Sequence, residues 1–344
     1  MEERILKSIV IAAALALSTV SGVAAQERVV NLYTARHYQT DDRLYADFTK
    51  ATGIKVNRIE GKEDEIIERI RNEGANSPAD VLITVDMGRV WRAEQAGVFG
   101  PVKSAVLEQR LPAHLRDPAG KWFGFSTRAR VIVYAKDKVK PGEVARYEDL
   151  AGPGMKGRVC ARSGGHVYNV SLLASMVATQ GEEKAGAWAK AVAANMARPP
   201  QGGDTDQIKA VAAGQCDVAI VNSYYAARVF NSTKDEDKAM AAKLAISFPN
   251  QGDRGTHVNV SAGGMVKTAP HPKEAQAFLE YLAGDAAQRY FADGNNEYPA
   301  ATGVKVDNKA LESWGAFKVD TVNVGEFGKH QARAQTLFDR AGWK

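Results

Sequence analysis

The sequence predicts an α/β protein of two lobes, and three observations support this prediction. Short apolar runs rich in β-branched residues alternate with segments of helical periodicity, which is typical of doubly wound, largely parallel sheets. The alternation is interrupted near residues 126–130 and 252–256, where extended chain links two such units. The chain has 344 residues, 45% of them hydrophobic, which suffices for two domains with substantial hydrophobic cores. We therefore expect two doubly wound α/β domains joined by a two-stranded hinge, with a ligand cleft between them.

Residues 1–25 differ in composition from the rest of the chain. Residues 8–20 are apolar and rich in alanine, and Val23-Ala24-Ala25 has the small residues of a cleavage site. We expect a secretory signal peptide that is cleaved after Ala25. No later stretch approaches the length of a membrane span, so we expect an exported protein without stable membrane insertion.

The predicted first lobe begins after the signal peptide with three strand–helix pairs. Its strands are expected at residues 29–32, 54–59 and 81–85, and its helices from Thr40 to Gly53, over residues 63–73 and up to Gly97. A strand at residues 259–266 and a helix beginning at Pro272 complete this unit. We assign residues 26–127 and 255–305 to the first lobe.

The predicted second lobe repeats the alternation. Its strands are expected at residues 131–134, 158–161 and 218–221. Its helices are expected after a cap at Asn169 or Ser171, around Trp188, after Asp204 or Thr205, and over residues 324–341. We assign residues 128–254 and 306–344 to the second lobe, with the C-terminal helix packed on it.

Charge and cysteine content narrow the class of protein. The net charge of +5 is spread along the chain without a basic stripe interleaved with aromatic residues, so we expect no nucleic-acid partner. The only two cysteines are Cys160 and Cys216, each at the start of a predicted strand. In an exported protein such a pair indicates one disulfide, and two buried thiols are the alternative.

Aromatic side chains follow three of the predicted strands. His37-Tyr38 follows the first strand, Tyr168 follows the strand that ends near residue 161, and Tyr224-Tyr225 follows the strand at 218–221. Ligands of open α/β sheets bind at the carboxyl ends of strands. We therefore expect four phenols and an imidazole to converge in the cleft.

The chemistry of phenols suggests what such a cluster binds. A phenol ionises near pH 10 in water, and a highly charged cation can remove its proton on binding. Ferric iron favours phenolate oxygen, whereas calcium favours carboxylates and carbonyls, and zinc favours histidine and cysteine. Four phenolates with Fe(III) leave an excess negative charge. Arg228, three residues after Tyr225 on the same helical face, and Arg128, in the first crossover, are candidates to offset it.

Together these residues resemble a known family, the periplasmic ferric-iron-binding proteins of ABC transporters. The resemblance is to the class that holds iron with histidine and tyrosines and without an obligatory bound carbonate or phosphate. It covers essentially the whole mature chain. The motifs that carry it are Leu32-Tyr33-Thr34-Ala35-Arg36-His37-Tyr38, Arg128-Ala129-Arg130-Val131-Ile132-Val133-Tyr134, Val167-Tyr168-Asn169, Asn222-Ser223-Tyr224-Tyr225 and Asn296-Glu297-Tyr298-Pro299.

The resemblance implies a type II periplasmic binding protein fold and a periplasmic monomer without enzymatic activity. Its cargo would be ferric iron, with ferrous iron left open, and its partner an inner-membrane ABC permease. The implied iron ligands are Tyr38, Tyr168, Tyr224 and Tyr225, with His37 as the fifth ligand or a near neighbour, and with Arg128 and Arg228 supporting them. Gly164-Gly165-His166 stands where the family usually has a serine-rich loop, which leaves open whether His166 lies near the metal.

Two other functions remain open at this point. A binding protein of the same fold could carry a small organic or oxyanionic solute such as a polyamine, thiamine or a sulfonate. That cargo would call for carboxylates or a helix-terminus anion site in the cleft. A non-haem Fe(III) tyrosinate enzyme is the second alternative. It would need an open coordination position, and the known intradiol dioxygenases of this kind are rich in β-structure. The sequence shows no nucleophile triad or metal-hydrolase motif.

Overall fold

The computed structural model describes residues 27–36 and 40–344. The predicted signal peptide and the predicted ligands His37 and Tyr38 lie outside the described residues. Within these residues the strands are β1 (Val29–Thr34), β2 (Lys55–Glu60), β3 (Val81–Val85), β4 (Phe123–Ala135), β5 (Val159–Cys160), β6 (Val218–Asn222), β7 (Leu244–Ser247), β8 (Val258–Met265) and β9 (Tyr298–Pro299). They form one hydrogen-bonded sheet in the order β2-β1-β3-β8-β4-β6-β5, and β7 and β9 also pair with β4.

Helices flank this sheet, as expected for an α/β protein. In the described chain they are α1 (Asp41–Thr52), α2 (Glu63–Glu73), α3 (Met87–Gln95), α4 (Ala105–Arg110), α5 (Val167–Gln180), α6 (Glu182–Ala194), α7 (Asp204–Ala212), α8 (Ser223–Phe230), α9 (Asp235–Lys243), α10 (Pro272–Leu282), α11 (Asp285–Asn295), α12 (Lys309–Trp314), α13 (Gly325–Lys329) and α14 (Gln331–Ala341).

Strand β4 joins the two halves of the sheet. Every one of its 13 residues is buried. Its first part pairs antiparallel with β8, from Phe123 opposite Gly263 to Ala129 opposite Val258. Its second part pairs with β6 and β7, beginning with Arg130 opposite Asn222. The first crossover predicted from sequence is therefore the middle of one continuous strand, and β8 follows the second crossover.

The first half of the sheet consists of β1, β2, β3, β8 and the start of β4. Strands β1, β2 and β3 are parallel, as the alternation of strands and helices predicts. Helix α2 has the predicted bounds and buries Ile66, Ile67 and Ile70, because residues three and four apart share one helical face. Gly53 ends α1 in the left-handed conformation at φ 70°, which glycine adopts without steric cost.

The second half consists of the end of β4 with β5, β6 and β7. Alternate residues of β4 and β6 contribute to two separate apolar clusters, one on each face. Ile132 and Ile220 belong to the first cluster, and Val131 and Val221 to the second. Helices cover both faces of the sheet here, so residues that point to either face are apolar. The sequences of these strands are therefore nearly continuous apolar runs. The sequence therefore predicted the end of β4, β5 and β6, but not the short strand β7.

Two helix boundaries differ from the sequence predictions. Helix α5 begins at Val167 and not after Asn169 or Ser171, because the Nδ1 atom of His166 accepts a hydrogen bond from the backbone N–H of Tyr168 and caps the helix. Histidine is not a common N-cap residue, so the sequence signal was missed. The predicted C-terminal helix is two helices, α13 and α14, which meet at His330.

The C-terminal helices connect several parts of the fold. Helix α14 packs on α5 and α6, and α13 packs on α3 and α5. The chain end is held by Trp343, whose indole N–H donates to the carbonyl of Arg162 at 2.9 Å.

In the part of the chain that the structure describes, no helix combines the length and apolar character needed to cross a membrane.

Cys160 and Cys216 form a disulfide, as the sequence predicted. The bond links residues that are 56 positions apart and ties the two-residue strand β5 to the segment that leads into β6.

Replacing both cysteines with alanine should destabilise the apo protein by about 4 kcal/mol in the chain-entropy model. Denaturant unfolding of the parental protein and the double variant measures the difference. Equal unfolding midpoints and slopes would show that the cross-link does not restrict the unfolded chain.

The burial of His257 predicts that the stability of the fold depends on pH. The residue is buried just before β8, with its ring 4.8 Å from that of Phe327. Burial lowers its pKa to about 3, and the nearby Arg130 and Arg254 add to this effect. The unfolded chain binds a proton at His257 below about pH 6.5, whereas the folded protein binds this proton only below about pH 3. Stability should therefore fall as the pH decreases from about 6.5 towards 3.

Removing the histidine should weaken this dependence. In His257→Gln, unfolding free energy should decline less between pH 7 and pH 5 than in the parental protein. The difference should approach about 1.4 kcal/mol for each pH unit below the unfolded-state pKa. Urea unfolding at several pH values measures it. Parallel pH profiles for the two proteins would contradict this role of His257.

Candidate metal-binding site

Two strand–helix junctions of the second half bring three of the predicted tyrosines together. Strand β6 ends at Asn222 and α8 begins at Ser223, which puts Tyr224 and Tyr225 in the first turn of α8. Tyr224 is buried, Tyr225 is partly exposed, and their ring centroids lie 4.2 Å apart. Tyr168 lies in the first turn of α5, beyond β5.

The hydroxyl oxygens of Tyr168 and Tyr224 lie 3.2 Å apart and share a hydrogen bond. Two oxygens at this separation can contact the same small cation if both lose their protons. Because β5 and β6 are parallel neighbours, the helices that follow them start at the same edge of the sheet. This topology explains why residues 56 positions apart meet.

The surroundings of Tyr168 favour its neutral form in the absence of a cation. Burial raises the pKa of the Tyr168 phenol, and the neighbouring Tyr225 raises it further. The charge of Arg128 and the hydrogen bond with Tyr224 act in the opposite direction but do not cancel the rise. Binding of a cation to the Tyr168 oxygen would therefore have to displace a proton.

Two arginines that the sequence analysis did not single out contact the Tyr168 ring. The guanidinium carbons of Arg130 and Arg162 lie 5.9 Å and 5.2 Å from the ring centroid. Both arginines pair with the buried Asp204, at 2.6 Å and 3.2 Å respectively. A signal for Arg130 was present in the sequence, since it directly precedes the apolar run at residues 131–134, which has the pattern of a buried strand.

The two predicted arginines occupy different surroundings. Arg228 is exposed on α8, with its guanidinium carbon 5.7 Å from the centroid of the Tyr225 ring. Arg128 is buried on β4 and donates to Glu297 at 2.8 Å and to Ser261 at 2.5 Å. It is close enough to lower the pKa of Tyr168, although burial outweighs it.

The residues that flank His37 and Tyr38 belong to the same buried network as Arg128. Arg36 pairs with Asp41 at 2.9 Å and with Glu297 at 3.2 Å. Burial alone would raise the pKa of Glu297, but Arg36 and Arg128 hold it below its usual value. Glu297 therefore stays ionised and connects the end of β1 to the hinge strand. The predicted roles of His37 and Tyr38 remain predictions.

His166 lies against Tyr168, with ring centroids 4.5 Å apart in an edge-on arrangement. Burial and the nearby charges of Arg162 and Arg130 lower its pKa to about 3, so its ring is neutral at physiological pH. Its Nδ1 atom accepts the Tyr168 backbone hydrogen bond. The structure thus gives His166 a capping role beside the tyrosines.

The donor types present restrict the cations that fit. Among the described residues, no cluster of three or more histidine, cysteine, aspartate or glutamate side chains could hold a metal. The tyrosine cluster, Tyr168 with Tyr224 and Tyr225, is the alternative set of donors. Phenolate oxygen suits a hard trivalent ion such as Fe(III), which ionises its own ligands.

Comparison with known sequences defines the class of this protein. The chain belongs to the family of bacterial extracellular solute-binding proteins, whose sequence profile matches residues 76–321. It is 51% identical over 325 residues to iron uptake protein A1 of Synechocystis, covering 94% of this chain and 90% of that protein. It is 30% identical over 318 residues to the Fe(3+)-binding periplasmic protein of Serratia marcescens, covering 91% and 92% of the two chains.

Solved structures agree with this assignment. A Trichodesmium protein (IdiA, FutA) in complex with iron and citrate ligands superposes with a TM-score of 0.89 at 54% identity, over 92% of this chain and all of that one. The ferric binding protein of Campylobacter jejuni gives a TM-score of 0.85 at 38% identity, over 92% and 100% of the two chains. These similarities confirm the predicted two-lobed α/β fold class and the family resemblance.

Proposed function

We propose that this chain is an extracytoplasmic substrate-binding protein that captures ferric iron between its two lobes and delivers it to an ABC permease for uptake. The observation that carries the proposal is the tyrosine cluster, in which the Tyr168 and Tyr224 oxygens already share a hydrogen bond. Relatives at about half identity are iron uptake proteins, and a similar structure was solved with iron and citrate. The same-fold alternative for an organic or oxyanionic solute is not favoured by these similarities.

We propose Tyr168, Tyr224 and Tyr225 as phenolate ligands, joined by Tyr38 and by His37 as a ligand or neighbour. Arg128 and Arg228 would offset the excess negative charge of the phenolates. The position of Arg228 over the Tyr225 ring supports this role, as does the effect of Arg128 on the pKa of Tyr168. The protein would bind iron as cargo and would not act as an enzyme.

The proposed setting is the periplasm, reached by cleavage of a signal peptide after Ala25, and the proposed oligomeric state is a monomer. The proposed first lobe comprises residues 26–127 and 255–305, and the second comprises residues 128–254 and 306–344. The pairing of β4 with β8 on one side and with β6 on the other supports a hinge between them. A ligand contacting both lobes would favour their closed arrangement.

Replacing Tyr224 and Tyr225 together with phenylalanine should abolish tight ferric binding and leave the fold intact. Each change removes only a hydroxyl, so the rings still pack and no large cavity forms. The remaining donors would be too few anionic ligands to hold a trivalent ion against citrate. Citrate competition followed by the visible phenolate-to-iron absorption measures the loss, and thermal unfolding of the apo form is the folding control. Retained colour with near-parental affinity would rule out these two tyrosines as central ligands.

Ferric affinity should fall as the pH decreases, because protons compete with iron for the phenols. The raised pKa of Tyr168 keeps this phenol protonated across the neutral range, so its contribution to the slope should be constant there. Tyr168→Phe should therefore reduce the slope of log K against pH by about one proton. Affinity measured between pH 6 and pH 9 with a fixed competing chelator tests this. An unchanged slope would mean that the Tyr168 oxygen does not bind the ion.

A further inference from the structure

The carboxylate of Asp204 contacts both strand–helix junctions that bear tyrosines. Its Oδ2 atom accepts from Arg130 Nη1 at 2.6 Å and from the backbone N–H of Asn222 at 2.7 Å. Its Oδ1 atom accepts from Arg162 Nη1 at 3.2 Å. The side chain of Asp204 has no exposed surface. Three donors from three separate segments therefore converge on one buried carboxylate.

Each donor leads directly to a tyrosine. Arg162 and Arg130 both lie over the Tyr168 ring. Arg130 also donates to Asn169, the residue after Tyr168, at 2.6 Å, and the Asn169 amide donates to the carbonyl of Arg162 at 3.1 Å. These contacts fix the chain on both sides of Tyr168.

On the other side, Asp204 holds the start of helix α8. Asn222 is the N-cap residue of α8, and its backbone N–H donates to Asp204. Its side-chain oxygen accepts from Arg130 Nη1 at 3.0 Å. Tyr224 and Tyr225 follow within three residues, so a shift of Asn222 would move both phenol oxygens relative to Tyr168.

The geometry points to Asp204 as the positioning residue of the proposed iron site, which sets the Tyr168 phenol against those of Tyr224 and Tyr225. It does so by fixing Arg130 and Arg162 on the Tyr168 ring and Asn222 at the start of α8. This inference rests on the proposed function. In the described part of the chain, Asp204 accepts hydrogen bonds from Arg130, Arg162 and Asn222, and it acts on the tyrosines through them.

The carboxylate also balances charge beside the site. Arg130 is almost completely buried and Arg162 is mostly buried, with 2% and 13% of their side chains exposed. Without an anionic partner, a buried guanidinium is strongly unfavourable. Loss of the carboxylate would therefore release one or both arginines from the Tyr168 ring. Mutation of a residue that orients a metal ligand typically lowers the metal affinity by roughly 10-fold to 100-fold.

The test compares Asp204→Asn with Asp217→Asn. Asparagine has nearly the same shape but can accept through one atom only and carries no charge. Asp217 is the control residue, because it also pairs with an arginine, Arg158, at 2.7 Å, but lies just before the start of strand β6, at the opposite end from Asn222. Each purified variant is titrated with ferric iron against citrate, the visible absorption band is recorded, and apo-protein stability is measured.

We expect Asp204→Asn to lower ferric affinity by roughly 10-fold to 100-fold and to shift the visible band, because the Tyr168 phenolate changes its surroundings. Asp217→Asn should keep the parental band and near-parental affinity even if it destabilises the apo protein. A folded Asp204→Asn protein with parental affinity and band would overturn the inference. An equal loss of affinity in both variants would also overturn it, since that would indicate a general effect of stability.

Arg162→Gln provides the second variant in case Asp204→Asn does not fold. It removes only one arm of the cluster, at a side chain that is partly exposed. A weaker loss of affinity with a shifted band is expected, and parental values for both would overturn the inference. The parental protein separates this result from the proposed function: absence of a phenolate-to-iron band there would reject iron binding itself.

Discussion

Two buried arginines on one strand hold the centre of this molecule together. Arg128 and Arg130 lie two residues apart on β4, and each is about 1% exposed. A buried charge requires an oppositely charged partner, and the partners of the two arginines lie in different halves of the molecule. Arg128 pairs with Glu297 beside β8 and β9, whereas Arg130 pairs with Asp204 on α7. The strand that crosses between the halves is thus tied electrostatically to both of them.

The same two ion pairs explain how the site is supported. Glu297 also binds Arg36, the residue before the predicted ligands His37 and Tyr38. Asp204 also binds Arg162 and the start of α8, next to Tyr168 and Tyr224 respectively. In each half, one buried carboxylate therefore holds a segment next to candidate ligands: Glu297 binds Arg36, and Asp204 binds Arg162 and Asn222.

Much of the fold and part of the candidate site could be predicted from the sequence. The bounds of β3 and α2 were predicted correctly, because apolar periodicity and turn residues define them locally. The start of α5 was not, because the capping group is a histidine ring whose role depends on the fold. Tyr168, Tyr224 and Tyr225 were recognisable because each follows a strand, and strand ends of neighbouring parallel strands meet. Asp204 and Arg162 were not recognisable, because only tertiary packing brings them to Tyr168.

The continuity of β4 affects how the protein comes apart. Its backbone hydrogen bonds belong to both halves of the sheet, and all its side chains are buried. One half cannot unravel without exposing the pairing edge and the charged side chains on which the other depends. The two halves should therefore lose structure as one cooperative unit, although each has the architecture of a separate domain. The slowest amide exchange in the protein would then lie in the middle of β4, where the pairing with β8 gives way to the pairing with β6.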